Sequence, residues 1–272
     1  MRDVRLVASD LDGTLLAPAP GLRVTPRVRA ALRAVQDRGV VVVLVSARNW
    51  RSIEEVADLA GVGGLAICSN GAVVYDLASR RVRHSHAVDV EVVRAFVDRV
   101  RDALDAEVCF GWETAQGAFR DEAYHRAATA SGVTYSPVYT NVIEVVPTIA
   151  DDHQVTKLLV RHPPSDPDAL LGRLVDLVGD GLTATISGGD FVEVMAGGIT
   201  KAHALEALCA ELGIDAGEVV AIGDQHNDIP MLTWAGRGVA MGNAHPSVLE
   251  AVSERTASNA EDGLALVLES LL

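Results

Sequence analysis

Residues 5–14 read Arg5-Leu6-Val7-Ala8-Ser9-Asp10-Leu11-Asp12-Gly13-Thr14, an apolar run that stops on two carboxylates two positions apart and a Gly-Thr pair. The run is strand-like. Residues two apart on an extended chain face the same side, so Asp10 and Asp12 can address one cavity. Taken alone, an Asp-Gly pair reads more readily as a turn. Outward from this stretch, residues 26–38 carry a helix pattern with Pro26 near its start and Gly39 just past its end. The run 40–45 is valine at every position but Leu44, which suits a strand buried on both faces. Residues 52–60 form a second helix pattern closed by Gly61, and 65–68 a third short strand. This β-α-β-α-β order implies a parallel sheet with right-handed crossovers.

The same rhythm returns after residue 198, with a helix pattern at 201–212, a strand at 219–222, a helix at 228–235, a strand at 238–241 and closing helices at 246–252 and 261–271. The middle of the chain differs. It holds a helix pattern at 90–103, irregular polar stretches, strand-like runs at 141–146 and 155–160, a Pro-rich break at 162–167, a helix at 169–178 and a strand at 183–187. The expected fold is therefore α/β, a Rossmann-like parallel-sheet core with an inserted α+β cap domain. The core spans 1–83 and 188–272 and the cap 84–187, with hinges at the polar run 80–86 and at Gly188-Gly189.

With 272 residues, 49% hydrophobic and 22% charged, the chain has the composition of a globular protein with ample core. Its 23 Lys+Arg against 37 Asp+Glu give a net charge of −14, which argues against nucleic acid or an anionic membrane as partner. An anionic ligand must then be met by locally placed cations. Cys68, Cys109 and Cys209 lie far apart with no CxxC pair, which favours a reducing compartment and excludes a four-cysteine zinc site. No apolar run reaches membrane-span length, and Asp10 and Asp12 come too early for a signal peptide. A cytoplasmic protein is expected.

Three apolar strands end in compact polar groups: Asp10-Leu11-Asp12-Gly13-Thr14, Ser46-Ala47-Arg48 and Gly223-Asp224-Gln225-His226-Asn227-Asp228. In open parallel sheets ligands bind outside the carboxyl ends of the strands. The acidic group at Asp224 and Asp228, added to Asp10 and Asp12, outweighs the turn reading. Four carboxylates converging in an acidic protein repel one another unless a cation sits among them, and an all-oxygen set suits Mg²⁺. Lysine occurs only at 157 and 201 in a chain that otherwise uses arginine. A compact ammonium at Lys201, at the mouth of a helix, does what a planar guanidinium cannot. Lys157, within a strand pattern, reads as structural. A hydroxyl at Ser46 ahead of a helix start is either a phosphate cradle or an ordinary cap, and His226 reads as a local hydrogen-bonding residue.

DLDGT at 10–14, Ser46, Lys201 and GDQHND at 223–228 resemble the four motifs of the haloacid dehalogenase superfamily of phosphohydrolases. SNGA at 69–72, GGITKAHAL at 197–205 and MGNA at 241–244, with the large insert, resemble its Cof-type branch. The resemblance covers both outer segments; over the insert it is one of size and position. It implies that Asp10 is the nucleophile forming an aspartyl-phosphate, that Asp12 is the general acid and then the base, and that Lys201 bridges Asp10 and the phosphoryl group. Ser46, Ala47, Arg48, Asn70, Gly71, Asn227 and Asn243 form the implied substrate- and phosphate-binding set. Asp10, Asp12 through its main-chain carbonyl, Asp224 and Asp228 form the implied Mg²⁺ set, Asp228 as ligand or support. Where relatives carry Thr-Gly-Arg, this chain has Ser-Ala-Arg, so the hydroxyl is kept while Ala47 restricts the backbone beside the phosphate.

The function so implied is a Mg²⁺-dependent phosphatase acting on small phosphorylated metabolites, sugar phosphates among them, as a monomer or homodimer. Phosphate-monoester hydrolysis is among the slowest uncatalysed reactions, with enzymatic accelerations reaching about 10²¹. Charge stabilisation and alignment must supply most of that. Two rivals use the same residues: a phosphomutase of similar fold, and a non-catalytic sensor that binds a phosphorylated metabolite.

Overall fold

The computed structural model describes residues 3–104, 106–130, 143–187 and 189–272. It divides into two compact units, one formed by residues up to His84 together with Thr200–Leu272, the other by Ser85–Ile199. Strands and helices are numbered in chain order.

In the first unit, β1 (Leu6–Ser9), β2 (Val41–Val45) and β3 (Leu65–Cys68) lie parallel, and β12 (Val219–Gly223), β13 (Arg237–Ala240) and β14 (Glu254–Arg255) continue the sheet on the other side of β1. Among the described residues the sheet order is β14-β13-β12-β1-β2-β3-β4-β5, with β4 (Val73–Asp76) antiparallel to β3 and β5 (Arg81–Ser85) at the edge. The central strands are apolar on both faces because helices cover both. Val42, Val43, Leu44 and Val45 are all buried in one core with Leu6, Val7, Ala221 and Ile222. The chain order turns back between β1 and β12, so the ends of these neighbouring strands bring residues 10–14 and 224–228 together across more than two hundred positions.

Local chemistry sets the helix ends. In α1 (Pro26–Asp37) the Thr25 hydroxyl accepts from Val28 N and Pro26 takes the first turn. In α2 (Trp50–Ala60) Asn49 caps the start and Gly61, left-handed at φ 72°, closes the end. The polar run 80–86, expected as a hinge, holds the division between the two units, which falls between His84 and Ser85, and contains β5. Its mostly exposed, charged residues are what an edge strand needs to discourage further pairing.

The second unit carries a sheet ordered β10-β11-β9-β6-β7-β8, from β6 (Cys109–Thr114), β7 (Ala118–Arg120), β8 (Ile143–Val145), β9 (Val155–Arg161), β10 (Leu182–Thr185) and β11 (Val192–Ala196). Helices α3 (Val90–Ala103) and α5 (Pro167–Val178) pack on one face through Phe96, Val100, Leu170 and Leu174 against Phe110, Trp112, Leu158 and Val160, and α4 (Glu122–Ala130) places Tyr124 and Ala128 with Cys109 and Leu159. Here the sequence-based boundary differs from the structure. Residues 189–199, grouped with the core by the sequence reading, include β11, which pairs antiparallel with both β10 and β9. Of the two glycines expected as a hinge, Gly189 falls between β10 and β11; Gly188 lies outside the described residues, as do positions 141 and 142 of the run 141–146. Lys157 is structural in the sense expected, its ammonium buried between Glu193 at 3.0 Å and Glu113 at 3.4 Å. Cys68, Cys109 and Cys209 are buried free thiols. Among the described residues, no helix is long and apolar enough to cross a membrane.

Candidate active site

The site is built entirely within the first unit, from loops that leave the carboxyl ends of β1, β2, β3 and β12 and from the start of α6 (Lys201–Leu212). Asp10 follows β1 directly, and its N–H donates to Ile222 O of β12 at 3.0 Å, so the ladder itself holds the residue in place. After it the chain turns sharply at Gly13, φ 80°. A Cβ on Gly13 would lie 2.2 Å from Asp224 Oδ2, so glycine is required both by the left-handed backbone and by the closeness of the acidic loop.

The central element is Lys201. Its side chain is 1% exposed, and Nζ donates to Asp10 Oδ1 and to Asp228 Oδ1, each at 2.6 Å. Burial alone would lower this ammonium, yet the charges of Asp10 and Asp228 raise it well above its ordinary value, so it stays protonated. Asp228 commits its other oxygen to the loop it closes, Oδ2 accepting from Asp224 N and Gln225 N at 2.9 Å each. Asp224 is held by Thr14 Oγ1 at 3.0 Å and Gln225 Nε2 at 3.2 Å. Asp10, Asp224 and Asp228 are all buried, and each offers an oxygen within 4.8 Å of those of the others.

This geometry carries an electrostatic debt: three buried carboxylates face one ammonium. Burial, then the Asp228 charge, raises the Asp10 carboxyl well above the usual range, and the same two causes push Asp224 up to about 6. A divalent cation among the three would relieve that repulsion. The donor set is wholly oxygen, and ligands around Mg²⁺ at about 2.1 Å stand roughly 3–4 Å apart, a separation these side chains span. The residues fit the ion.

Asp12 points differently. It is half exposed, and Arg48 grips it with both arms of the guanidinium, Nε to Oδ2 at 2.7 Å and Nη2 to Oδ1 at 2.6 Å. Burial works against the Arg48 charge, and the hydrogen bond and charge of Asp12 outweigh it and raise its pKa. Ser46 is buried, and its hydroxyl accepts from Arg48 N at 3.1 Å. Asn227 Nδ2 donates to Asn70 Oδ1 at 2.8 Å. Asn243 uses both ends of its amide on backbone, donating to Gly13 O and accepting from Asn259 N, each at 2.9 Å. His226 Nδ1 meets Ser247 Oγ at 3.0 Å, the local role expected of it. Thr14 and Gln225, which steady Asp224, were not singled out from the sequence; nothing short of the fold announces them. The same holds for Arg48 as the partner of Asp12.

The haloacid dehalogenase-like hydrolase family matches residues 7–268. The chain belongs to it. A relative from Bacillus subtilis (strain 168), the 5-amino-6-(5-phospho-D-ribitylamino)uracil phosphatase YcsE, is 30% identical over 97% of this chain and 94% of its own. The pyridoxal phosphate phosphatase YbhA of Escherichia coli (strain K12) is 28% identical over 98% of each. Among solved structures, BT1666 from Bacteroides thetaiotaomicron, described within the phosphatases of the haloalkanoate enzyme superfamily, superposes with a TM-score of 0.80 at 25% identity, covering 99% of this chain and 95% of that one. The identification of a phosphohydrolase of this superfamily from four short motifs therefore holds, as does the α/β fold class.

Proposed function

We propose that this haloacid dehalogenase-like phosphatase hydrolyses phosphate monoesters of small metabolites with Mg²⁺ bound, through a covalent phosphoryl group on Asp10. The observation that carries the reading is the buried bridge of Lys201 between Asp10 and Asp228, with Asp224 within reach, in a chain of net charge −14. So large a local concentration of like charge is costly without a function that uses it.

An Asp10 oxygen attacks phosphorus while the bond to the leaving oxygen breaks, and Asp12 delivers its proton to that oxygen, releasing an alcohol and leaving an acyl phosphate. Asp12, now ionised, takes a proton from water. The water oxygen attacks phosphorus, the bond to Asp10 breaks, and inorganic phosphate leaves with the carboxylate restored. Lys201 lies against Asp10 and neutralises phosphoryl charge as it shifts between donor and acceptor oxygens. Ser46 and the backbone around Ala47 and Arg48 cradle a phosphoryl oxygen, supported by Asn70, Gly71, Asn227 and Asn243. Asp10, Asp224, the Asp12 carbonyl and, directly or through support, Asp228 would hold Mg²⁺, which would supply positive charge to offset that of the transferring group.

The substrates named for the relatives, a phosphoribitylamino-uracil and pyridoxal phosphate, support a small phosphorylated metabolite, and a sugar phosphate belongs to the same class. The test is release of inorganic phosphate from p-nitrophenyl phosphate with Mg²⁺ and with EDTA, followed by a panel of sugar and heteroaromatic phosphates. Turnover only with the metal, and free phosphate without isomerised sugar phosphate, supports the reading. Isomerisation without phosphate release points to a mutase, and binding without turnover to a sensor.

A further inference from the structure

The turn after β3, whose Asn70 and Gly71 belong to the proposed phosphate-binding set, has an unusual backbone. Ser69, Asn70 and Gly71 have φ of 47°, 58° and 104°, three successive left-handed residues of which two are not glycine. Such conformations are unfavourable for residues with side chains and persist where the surroundings hold them. Here the surroundings are the catalytic loops themselves. Ser69 N donates to Arg48 O at 2.9 Å and Asn70 N to Ser46 O at 3.1 Å, fastening the turn to the loop after β2. Asn70, 1% exposed as a residue, accepts through Oδ1 from Asn227, the residue before Asp228. On its third side the turn abuts α6: a Cβ at Gly71 would stand 2.3 Å from Thr200 O and 2.7 Å from Thr200 C. Thr200 is the cap of α6, its hydroxyl accepting from His203 N at 3.1 Å, and Lys201 is the next residue.

We infer that the Ser69-Asn70-Gly71 turn is a positioning device that sets the depth of Lys201 between Asp10 and Asp228, with Gly71 fixing where α6 begins and Asn70 fixing where the Asp228 loop lies. The contact at Gly71 is with backbone, which cannot rotate aside as a side-chain tip does. A methyl group there displaces the Thr200 peptide and with it the α carbon of Lys201, whose ammonium sits at 2.6 Å from two carboxylates. Misplacement of a catalytic group by about 1 Å can lower a rate by about 10²-fold. This assignment of Gly71 and Asn70 rests on the proposed role of Lys201; it gives them a task in positioning beyond their support of the phosphate cradle.

The experiment is a double-mutant cycle on p-nitrophenyl phosphate hydrolysis with saturating Mg²⁺, using the full chain well below its melting temperature. Gly71→Ala is expected to lower kcat by about 10²-fold with KM changed by less than about threefold. Lys201→Met lowers kcat by about 10²–10³-fold. In the double variant the two losses do not multiply, because a displaced ammonium that is absent has nothing further to lose. Asn70→Gly keeps the left-handed backbone while removing the tie to Asn227; a kcat loss of about fivefold, also vanishing in the Lys201→Met background, is expected, and this variant serves where Gly71→Ala does not fold. Wild-type kcat in both variants, a loss confined to KM, or losses that multiply with Lys201→Met each overturn the proposal. Inactive wild-type protein, or a fully active Lys201→Met, overturns instead the reading of the site on which it rests.

Discussion

Arg48 and Asp12 form a bidentate pair, Nε to Oδ2 at 2.7 Å and Nη2 to Oδ1 at 2.6 Å, with side chains 27% and 50% exposed. A carboxylate gripped in this way is an acceptor on both oxygens, yet the first step of the proposed mechanism needs a proton on one of them. That proposal therefore requires Asp12 to leave Arg48, in whole or in part, as substrate enters, and the guanidinium thus freed has the shape to take phosphate or a leaving-group oxygen. Partly exposed pairs contribute only about 0–1 kcal/mol to stability. Arg48→Ala should accordingly leave the urea midpoint nearly unchanged while lowering kcat/KM by at least about tenfold. Arg48→Lys should recover little of it. A large stability loss with full activity would assign the pair to structure.

Asp228 is predicted to be the most damaging of the acidic residues to remove. Its two oxygens hold the Lys201 ammonium and the N–H groups of Asp224 and Gln225. Asp228→Ala leaves a buried charge with one partner fewer and two backbone donors unmet, that of Asp224 buried and that of Gln225 half-buried, a loss of about 3–5 kcal/mol by analogy with broken buried pairs. Urea unfolding of the metal-free protein measures it.

The pH dependence of metal-free stability follows from Asp224, pushed up to about 6 by burial and by Asp228. A carboxyl that binds its proton more tightly folded than unfolded favours the fold while that proton is present. Its contribution is complete below the unfolded value near 3.9 and is lost as pH rises through about 6. In EDTA the unfolding free energy should therefore fall between pH 4 and 7. If Mg²⁺ takes the place of the proton, as proposed, the rise in Tm on adding it should be larger at pH 7.5 than at pH 5. An equal rise at both values, or none, would count against Asp224 as a metal residue.

Gly13→Ala tests the same ion through the backbone. The added Cβ would meet Asp224 Oδ2 at 2.2 Å, at a φ of 80°. The left-handed backbone alone costs a non-glycine residue about 1–2 kcal/mol, and displacement of Asp224 should remove the Mg²⁺-induced rise in Tm altogether. A variant that folds and still responds fully to Mg²⁺ would place the ion elsewhere.

Much of the first unit was legible in its sequence because the central strands β2, β3 and β12 are unbroken apolar runs and its longer helices carry their own punctuation, whereas β14, only Glu254 and Arg255, shows no such signal. Residues 26–38 against α1 at Pro26–Asp37, and residues 201–212 against α6 at Lys201–Leu212, show how well the proline at the start of α1 and the glycines past both helices report helix ends. The 52–60 pattern missed the first two residues of α2 because the cap is Asn49 and the helix opens on an aromatic, Trp50, that the apolar period does not register as a start. What escaped was set by partners distant in the chain. β4 and β5 carry too few residues to show a period, and β11 became a strand by pairing with β10 and β9. In the site, the motif residues could be named from residue type and spacing, whereas the hold of Arg48 on Asp12 and of Asn70 on Asn227 joins loops 36 and 157 positions apart. Only the folded sheet brings those together.

The account stands or falls on Asp10 as the atom-transfer partner of phosphorus. The most direct measurement is acid-quenched mass analysis after mixing with p-nitrophenyl phosphate and Mg²⁺, run on wild type and on Asp10→Asn beside steady-state rates and circular dichroism. The account predicts one phosphoryl group on the wild-type peptide that contains Asp10. It predicts none on Asp10→Asn, which should keep the wild-type spectrum and hydrolyse at least about 10⁴-fold more slowly. A phosphoryl group on any other residue, or an Asp10→Asn variant that turns over at the wild-type rate, would contradict it.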